Sequence, residues 1–186
     1  MHCYNEEDII LPAVMKLLEQ GIKVYVLDNW STDKTFQLLS KIQHERFLGI
    51  EKFPKNKAPQ YYDLKAVLGR KEEIAKEFGQ GWYFHADVDE LRESPWEKIS
   101  FMEGLYLADS LGFNAIDSSV ITFHPIDNNF KSGTDFEEYF KHFSLGKHLS
   151  DFIQVKIWKN FGQKINLAYW GGHNVEFSNR KIFPLK

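Results

Sequence analysis

The sequence predicts an α/β fold, a mainly parallel sheet flanked by helices that passes into a C-terminal half built on a mixed sheet. Three observations predict it. Short apolar runs alternate with amphipathic helical stretches up to Pro95, the rhythm of parallel strands with helices covering both faces of the sheet. Polar clusters follow the apolar runs at Tyr4-Asn5, Asp28-Asn29 and Asp87-Val88-Asp89-Glu90. Open sheets of this kind bind ligands there, beyond the carboxyl ends of their strands. After Pro95 one helix gives way to strands in closer succession, which suits a mixed sheet.

Taken in order, Met1–Tyr4 reads as the tail of a first strand. A helix from about Asp8 to Gln20 follows, with Ile9, Ile10, Ala13, Val14, Leu17 and Leu18 on one face and Gly21 at its end. Lys23–Leu27 is a short apolar run of the kind buried in parallel sheets. It enters the turn Asp28–Asp33, where Ser31, Thr32 or Asp33 can cap a helix carrying Phe36, Leu38, Leu39 and Ile42. Gly49–Phe53 is a third strand closed by Pro54, Tyr61–Phe78 a long helix, and Trp82–Ala86 a fourth strand that delivers Asp87–Glu90. Beyond Pro95 come a helix at Glu97–Leu111, a strand at Ala115–His124, a short helix at Phe136–Phe143, and strands near Ile153–Lys159 and Lys164–Tyr169.

With 186 residues and no linker the expected unit is one domain, 1–186, with halves at 1–95 and 96–186. Apolar residues at 43% and charged residues at 26% are ordinary globular composition and argue against disorder. A net charge of −3 with interspersed signs lacks the basic stripe of a nucleic-acid binder. The single cysteine, Cys3, excludes an internal disulfide framework and a multi-cysteine zinc site. No apolar run reaches the ~20 residues that span a bilayer, and no basic-then-apolar leader opens the chain. A cytoplasmic enzyme or binding domain is the expectation.

Asp87, Asp89 and Glu90 crowd three carboxylates into four positions at a strand end. A divalent cation relieves the repulsion, and carboxylate oxygens are the donors Mg²⁺ or Mn²⁺ prefer. Such an ion can bridge two phosphates and neutralise a departing charge. A solvated acidic loop is the bland alternative.

Together, Tyr4-Asn5-Glu6-Glu7-Asp8, Asp28-Asn29-Trp30-Ser31-Thr32-Asp33-Lys34-Thr35 and His85-Ala86-Asp87-Val88-Asp89-Glu90 resemble the family-2 glycosyltransferases of GT-A (Rossmann-like) fold. The order and spacing of all three segments match, and Gly171-Gly172-His173 is similar to a segment of a bacterial branch. The resemblance implies an inverting transferase that moves a sugar from a nucleotide-diphosphate-sugar donor to a hydroxyl on a glycan, lipid or polysaccharide. Mn²⁺ or Mg²⁺ would assist, with peripheral membrane association possible. It implies Tyr4, Asn5 and Glu7 near the nucleotide, and Asp28 on the base or ribose. Asp87 would meet ribose or metal, Asp89 would be the direct metal ligand, and His173 would complete the coordination. Asp135 and then Glu138 are the candidate bases, and Arg70 and Lys65 candidate diphosphate contacts.

Each has a structural counterpart: Asp28 as a helix cap, Tyr4 or Trp170 as core, Glu6 and Glu7 as helix-start acids, Arg70 and Lys65 as surface ion pairs. The family's first strand begins further upstream of its Tyr-Asn pair and its members continue past the GGH segment, so a truncated first strand is expected. Two other functions compete. A sugar-nucleotide nucleotidyltransferase would carry a basic Gly-rich loop where Asn5–Asp8 stands; a non-catalytic carbohydrate-binding or interaction module would keep the fold without turnover.

Overall fold

The computed structural model describes residues 1–131, 133–145 and 154–184. In chain order the elements are strand β1 (His2–Cys3), helix α1 (Ile10–Glu19), strand β2 (Val24–Asp28), helix α2 (Thr35–Leu39) and strand β3 (Phe47–Lys52). Helix α3 (Leu64–Phe78), strand β4 (Gly81–Phe84), helix α4 (Phe101–Ser110) and strands β5 (Ala115–Ser118) and β6 (Ile121–His124) follow. Helix α5 (Phe136–Tyr139), strands β7 (His142–Leu145) and β8 (Gln154–Asn160), a 3-10 turn at Ala168–Trp170 and strand β9 (Ile182–Phe183) complete the described chain. The class is α/β, and the described strands form a parallel sheet, a mixed sheet and a two-stranded β6-β7 sheet. No helix among the described residues is long and apolar enough to cross a membrane.

The chain gathers into two compact units, each discontinuous in sequence. Unit 1 comprises Met1–Tyr62, Ala86–Met102 and the described residues of His124–His142. Its sheet is parallel in the order β1-β2-β3, with His2 opposite Leu27 and Val26 opposite Ile50. Val24, Val26, Leu27 and Asp28 are all buried, as in a central strand covered on both faces. Helix α1 buries Ile10, Ala13, Val14, Leu17 and Leu18, the i, i+3, i+4, i+7, i+8 stripe that the sequence predicts. It ends at Gly21, whose φ of +87° suits glycine.

Unit 2 comprises Asp63–His85, Glu103–Phe123 and the described residues of Phe143–Lys186. Its sheet runs β4-β8-β5-β9, with β8 antiparallel to β4 and β5, and β9 parallel to β5. Leu68 and Ala75 of α3 pack with Ala115, Val155, Trp158, Ile165, Leu167 and Val175. The C-terminal carbonyls of α3 need partners from outside the helix. Asn160 supplies them, donating through Nδ2 to Ala75 O and Gly79 O at 2.8 Å each.

Several elements differ from expectation, each for a local reason. Helix α3 starts at Leu64 rather than Tyr61, because Asp63 caps it by accepting from Ala66 N at 2.9 Å. Helix α2 is only five residues and leaves Ile42 outside. Strand β4 pairs antiparallel with β8, Tyr83 opposite Trp158, and does not extend the parallel β1-β2-β3 sheet. A four-residue apolar run carries no information about direction. The single strand expected at Ala115–His124 breaks into β5 and β6, with an irregular register where the Asp117 carboxylate accepts from Gln154 N. Lys164–Tyr169 is not a strand: Leu167 N–H goes to Glu72 Oε1 at 2.7 Å, and Asn166 keeps only an isolated bridge to Glu176. The helix expected to reach Phe143 ends at Tyr139. Of the strand expected at Ile153–Lys159, Ile153 lies outside the described residues and the remainder is β8.

Candidate functional site

Residues 4–8 leave the end of β1 and residues 28–35 leave the end of β2, adjacent strands of one sheet. The two segments hold each other. Asn5 Oδ1 accepts from Thr32 N at 2.8 Å, with Thr32 Oγ1 and Asp33 N at 3.3 and 3.4 Å. In return Asn5 N donates to Ser31 Oγ, Glu6 N to Thr35 Oγ1 and Glu7 N to Asp33 Oδ2. Glu7 Oε2 accepts from Lys34 N at 2.9 Å, and Asp33 Oδ1 from Thr35 N at 2.9 Å. These bonds satisfy backbone donors of two loops that no ladder reaches. Burial acts to raise the Asp33 carboxyl, but hydrogen bonds from Thr35 and Glu7 outweigh it and hold the group below its ordinary range.

Above this clamp lies a cleft of about 740 Å³, lined entirely by unit 1. Its acidic lining is Glu6, Asp87 and Asp89, and its aromatic lining is His2, Tyr4, Trp30, Tyr61 and Tyr62. Strand alternation decides who faces it. Asp28 is fully buried and its carboxylate accepts from Ser31 N, whereas Asn29, one residue on, lines the cleft. The geometry of Asp28 is therefore that of a turn former.

Three features sharpen the site. His2 bridges two lining residues, with Nδ1 3.5 Å from Asp87 Oδ1 and Nε2 2.9 Å from Tyr62 Oη. Burial, then the charge of Asp87, raises the Tyr62 phenol above its usual range. Glu6 is raised by burial first, then by the charges of Asp8, Asp89 and Asp33. Trp30 sits at φ +62°, a left-handed conformation that costs a side-chain-bearing residue about 1–2 kcal/mol. Cys3, beneath the site, is buried beside Asp28 and its thiol is pushed far up, which leaves it inert.

Of the residues expected from sequence, the structure brings Tyr4, Asp87 and Asp89 to the cleft. Asn5 and Glu7 serve the clamp beside it. Asp135 caps α5, accepting from Glu137 N and Glu138 N, and neither Asp135 nor Glu138 lines the cleft. His173 is an exposed residue of unit 2. There Gly171, at φ +58°, caps the 3-10 turn, and Gly172 packs on His85: a Cβ on Gly172 would meet His85 Nε2 at 2.7 Å. Arg70, also in unit 2, is engaged by Glu73 and Glu77 of its own helix, and Lys65 is exposed. Sequence reasoning placed Asn29 at the ligand-side strand ends but missed His2, Glu6, Trp30, Tyr61 and Tyr62 as lining residues. For the last two a signal existed: Asp63 is a ready N-cap that releases the preceding tyrosines from the helix.

The cleft's donors suit a hard divalent ion shared with a ligand. Among the described residues no three His, Cys, Asp or Glu side chains stand together as a cage. Mg²⁺ and Mn²⁺ are commonly held by one or two carboxylates, with water and substrate phosphate completing the shell. Asp87 and Asp89, which both line the cleft, offer such a pair. No family model, curated protein or solved structure matches this chain.

Proposed function

We infer that this chain is the GT-A-type core of a glycosyltransferase, moving a sugar from a nucleotide-diphosphate-sugar donor to a hydroxyl acceptor on a glycan, lipid or polysaccharide. The observation that carries the reading is the gathering of Tyr4 and Glu6, of Asn29, Trp30 and Thr32, and of Asp87–Asp89 around one cleft with carboxylate and aromatic walls. A divalent ion held by Asp87 and Asp89 would supply charge neutralisation to the diphosphate as it departs.

The chain's own residues do the rest. His2, fixed by Tyr62, orients Asp87. The clamp holds Glu6 and Trp30 at the cleft without help from ligand, which is preorganisation. Deprotonating the acceptor hydroxyl needs a carboxylate within reach of it. Glu6 lines the cleft, whereas Asp135 is committed to its helix. Glu6 is therefore the base to test first, ahead of Asp135 and Glu138.

Thermal unfolding with UDP, GDP, CDP and ADP, each with and without Mn²⁺, tests the reading. One diphosphate at about 100 times its Kd should stabilise the fold by about 2.7 kcal/mol, only with the ion, and Asp89→Ala should abolish the shift. No shift with any nucleotide would overturn the proposal. A shift without transfer or hydrolysis of any sugar nucleotide would favour a binding module instead.

A further inference from the structure

Trp30 occupies a position that glycine would fill more easily. Its φ of +62° is in the left-handed region, which bulky residues avoid and glycine enters freely. A turn alone would not require an indole there. Nor does core packing account for it, because the residue is part-exposed and lines the cleft. The ring is nevertheless held firmly. Its Nε1 donates to Pro54 O at 2.8 Å, which fixes the ring's rotation. Lys52 Nζ lies 4.7 Å from the Trp30 ring centroid and 4.8 Å from that of Phe36, a cation–π seat for the indole. The backbone beneath it is fixed on both sides, by Asn29 N donating to Cys3 O before it and by Asp28 accepting from Ser31 N after it. Unfavourable backbone geometry that the surroundings over-determine, beside a cleft, is a recurrent mark of a functional residue.

We propose that Trp30 is the stacking wall of the cleft, binding the base of a nucleoside diphosphate and setting how strongly the site prefers a nucleotide to bare diphosphate. The inference rests on the donor class proposed above and adds a residue that the sequence motif leaves unspecified, the variable position between Asn29 and Ser31. Tyr4, Tyr61 and Tyr62 line the same cleft and are each at least half-exposed, so planar surface is available to a flat ligand. Every base has a face to stack on an aromatic ring, so stacking supplies affinity without hydrogen-bond readout.

Trp30→Gly is the decisive variant, since it removes the ring and relieves the backbone at once. Calorimetric titration with UDP, GDP, CDP and ADP in Mg²⁺, beside inorganic pyrophosphate, reads base and phosphate contributions separately. The variant should unfold at the wild-type temperature or above. Its affinity for the preferred nucleoside diphosphate should fall by roughly 5- to 150-fold, the range that base–aromatic stacking supplies. Its affinity for pyrophosphate should be unchanged. Trp30→Phe should keep most of the nucleotide preference and Trp30→Leu should lose it, a comparison that stands even if the glycine variant folds poorly. Equal nucleotide affinity in wild type, Trp30→Gly and Trp30→Leu would overturn this inference and leave the proposed function standing. Failure of the wild type to bind any of the four would overturn both.

Discussion

In unit 1, residues 5–7 and 31–35 tie to one another, side chain to backbone, and carry Glu6, Trp30 and Thr32 at the cleft; in unit 2, Gly171-Gly172-His173 turns back on a 3-10 helix and Gly172 packs against His85. Both stretches read in the sequence as ligand-binding motifs. In both, much of the motif is spent on holding the backbone. The difference is what that holding presents. The unit 1 clamp carries Glu6 and Trp30 at its margin as lining residues, whereas the second glycine of unit 2 is filled by an imidazole where a ligand's approach was expected.

The comparison breaks most visibly at Gly172. A methyl group there would stand 2.7 Å from His85 Nε2 and 3.2 Å from Leu68 Cδ2, on a backbone at φ +90°. The His85 ring is buried and cannot swing away cheaply. Left-handed strain and overpacking add, so Gly172→Ala should destabilise the protein by about 2–4 kcal/mol. Urea unfolding would show a lower midpoint at constant slope. An unchanged midpoint would return Gly172 to the role of a ligand-facing glycine.

Asn5 tests the other side with a smaller effect. Alanine there loses the acceptor for Thr32 N and Asp33 N and must adopt φ +56°. The expected cost is about 1–3 kcal/mol. Asn5→Gly keeps the hydrogen-bond loss and removes the strain, so about half the stability should return. If glycine and alanine cost the same, backbone conformation is not what the asparagine supplies.

The sequence made the helix and strand order of residues 1–85 legible because hydrophobic periodicity reports burial, and burial of Ile10, Val14 and Leu18 decides where α1 lies. Direction and partnership were not legible. Nothing in Gly81–Phe84 says that it pairs antiparallel with a strand more than 70 positions on. The site was legible to the resolution of a segment. Which residue of a segment faces the cleft depends on alternation and on one-residue offsets: Asp28 turns inward and Asn29 out, Glu7 ties the loop and Glu6 lines the cleft. Asp135 illustrates the remaining limit, since an acidic residue before a short helix looks the same as base or as cap until its donors are seen.

Glu6 and Asp33 give the smallest effects and the sharpest contrast, because their pKa shifts have opposite signs. The Asp33 carboxyl lies below its ordinary 3.8. It contributes stability that is fully present above that value and is lost as pH falls through the lowered one. The Glu6 carboxyl lies above its ordinary 4.5, raised by burial and then by Asp8, Asp89 and Asp33. The folded state therefore binds more protons than the unfolded between 4.5 and the raised value, and stability declines as pH rises through that window. Unfolding followed from pH 3 to 7 should show Asp33→Asn less stable than wild type at neutral pH, with the gap closing in acid. Glu6→Gln should be the more stable protein at neutral pH, with its advantage shrinking toward pH 4. A side chain whose removal steadies the fold is retained for some other reason, and for Glu6 that reason would be chemistry at the cleft. Glu6→Gln should then lose sugar transfer while keeping nucleotide binding. A variant that gains stability and retains transfer would take the base away from Glu6.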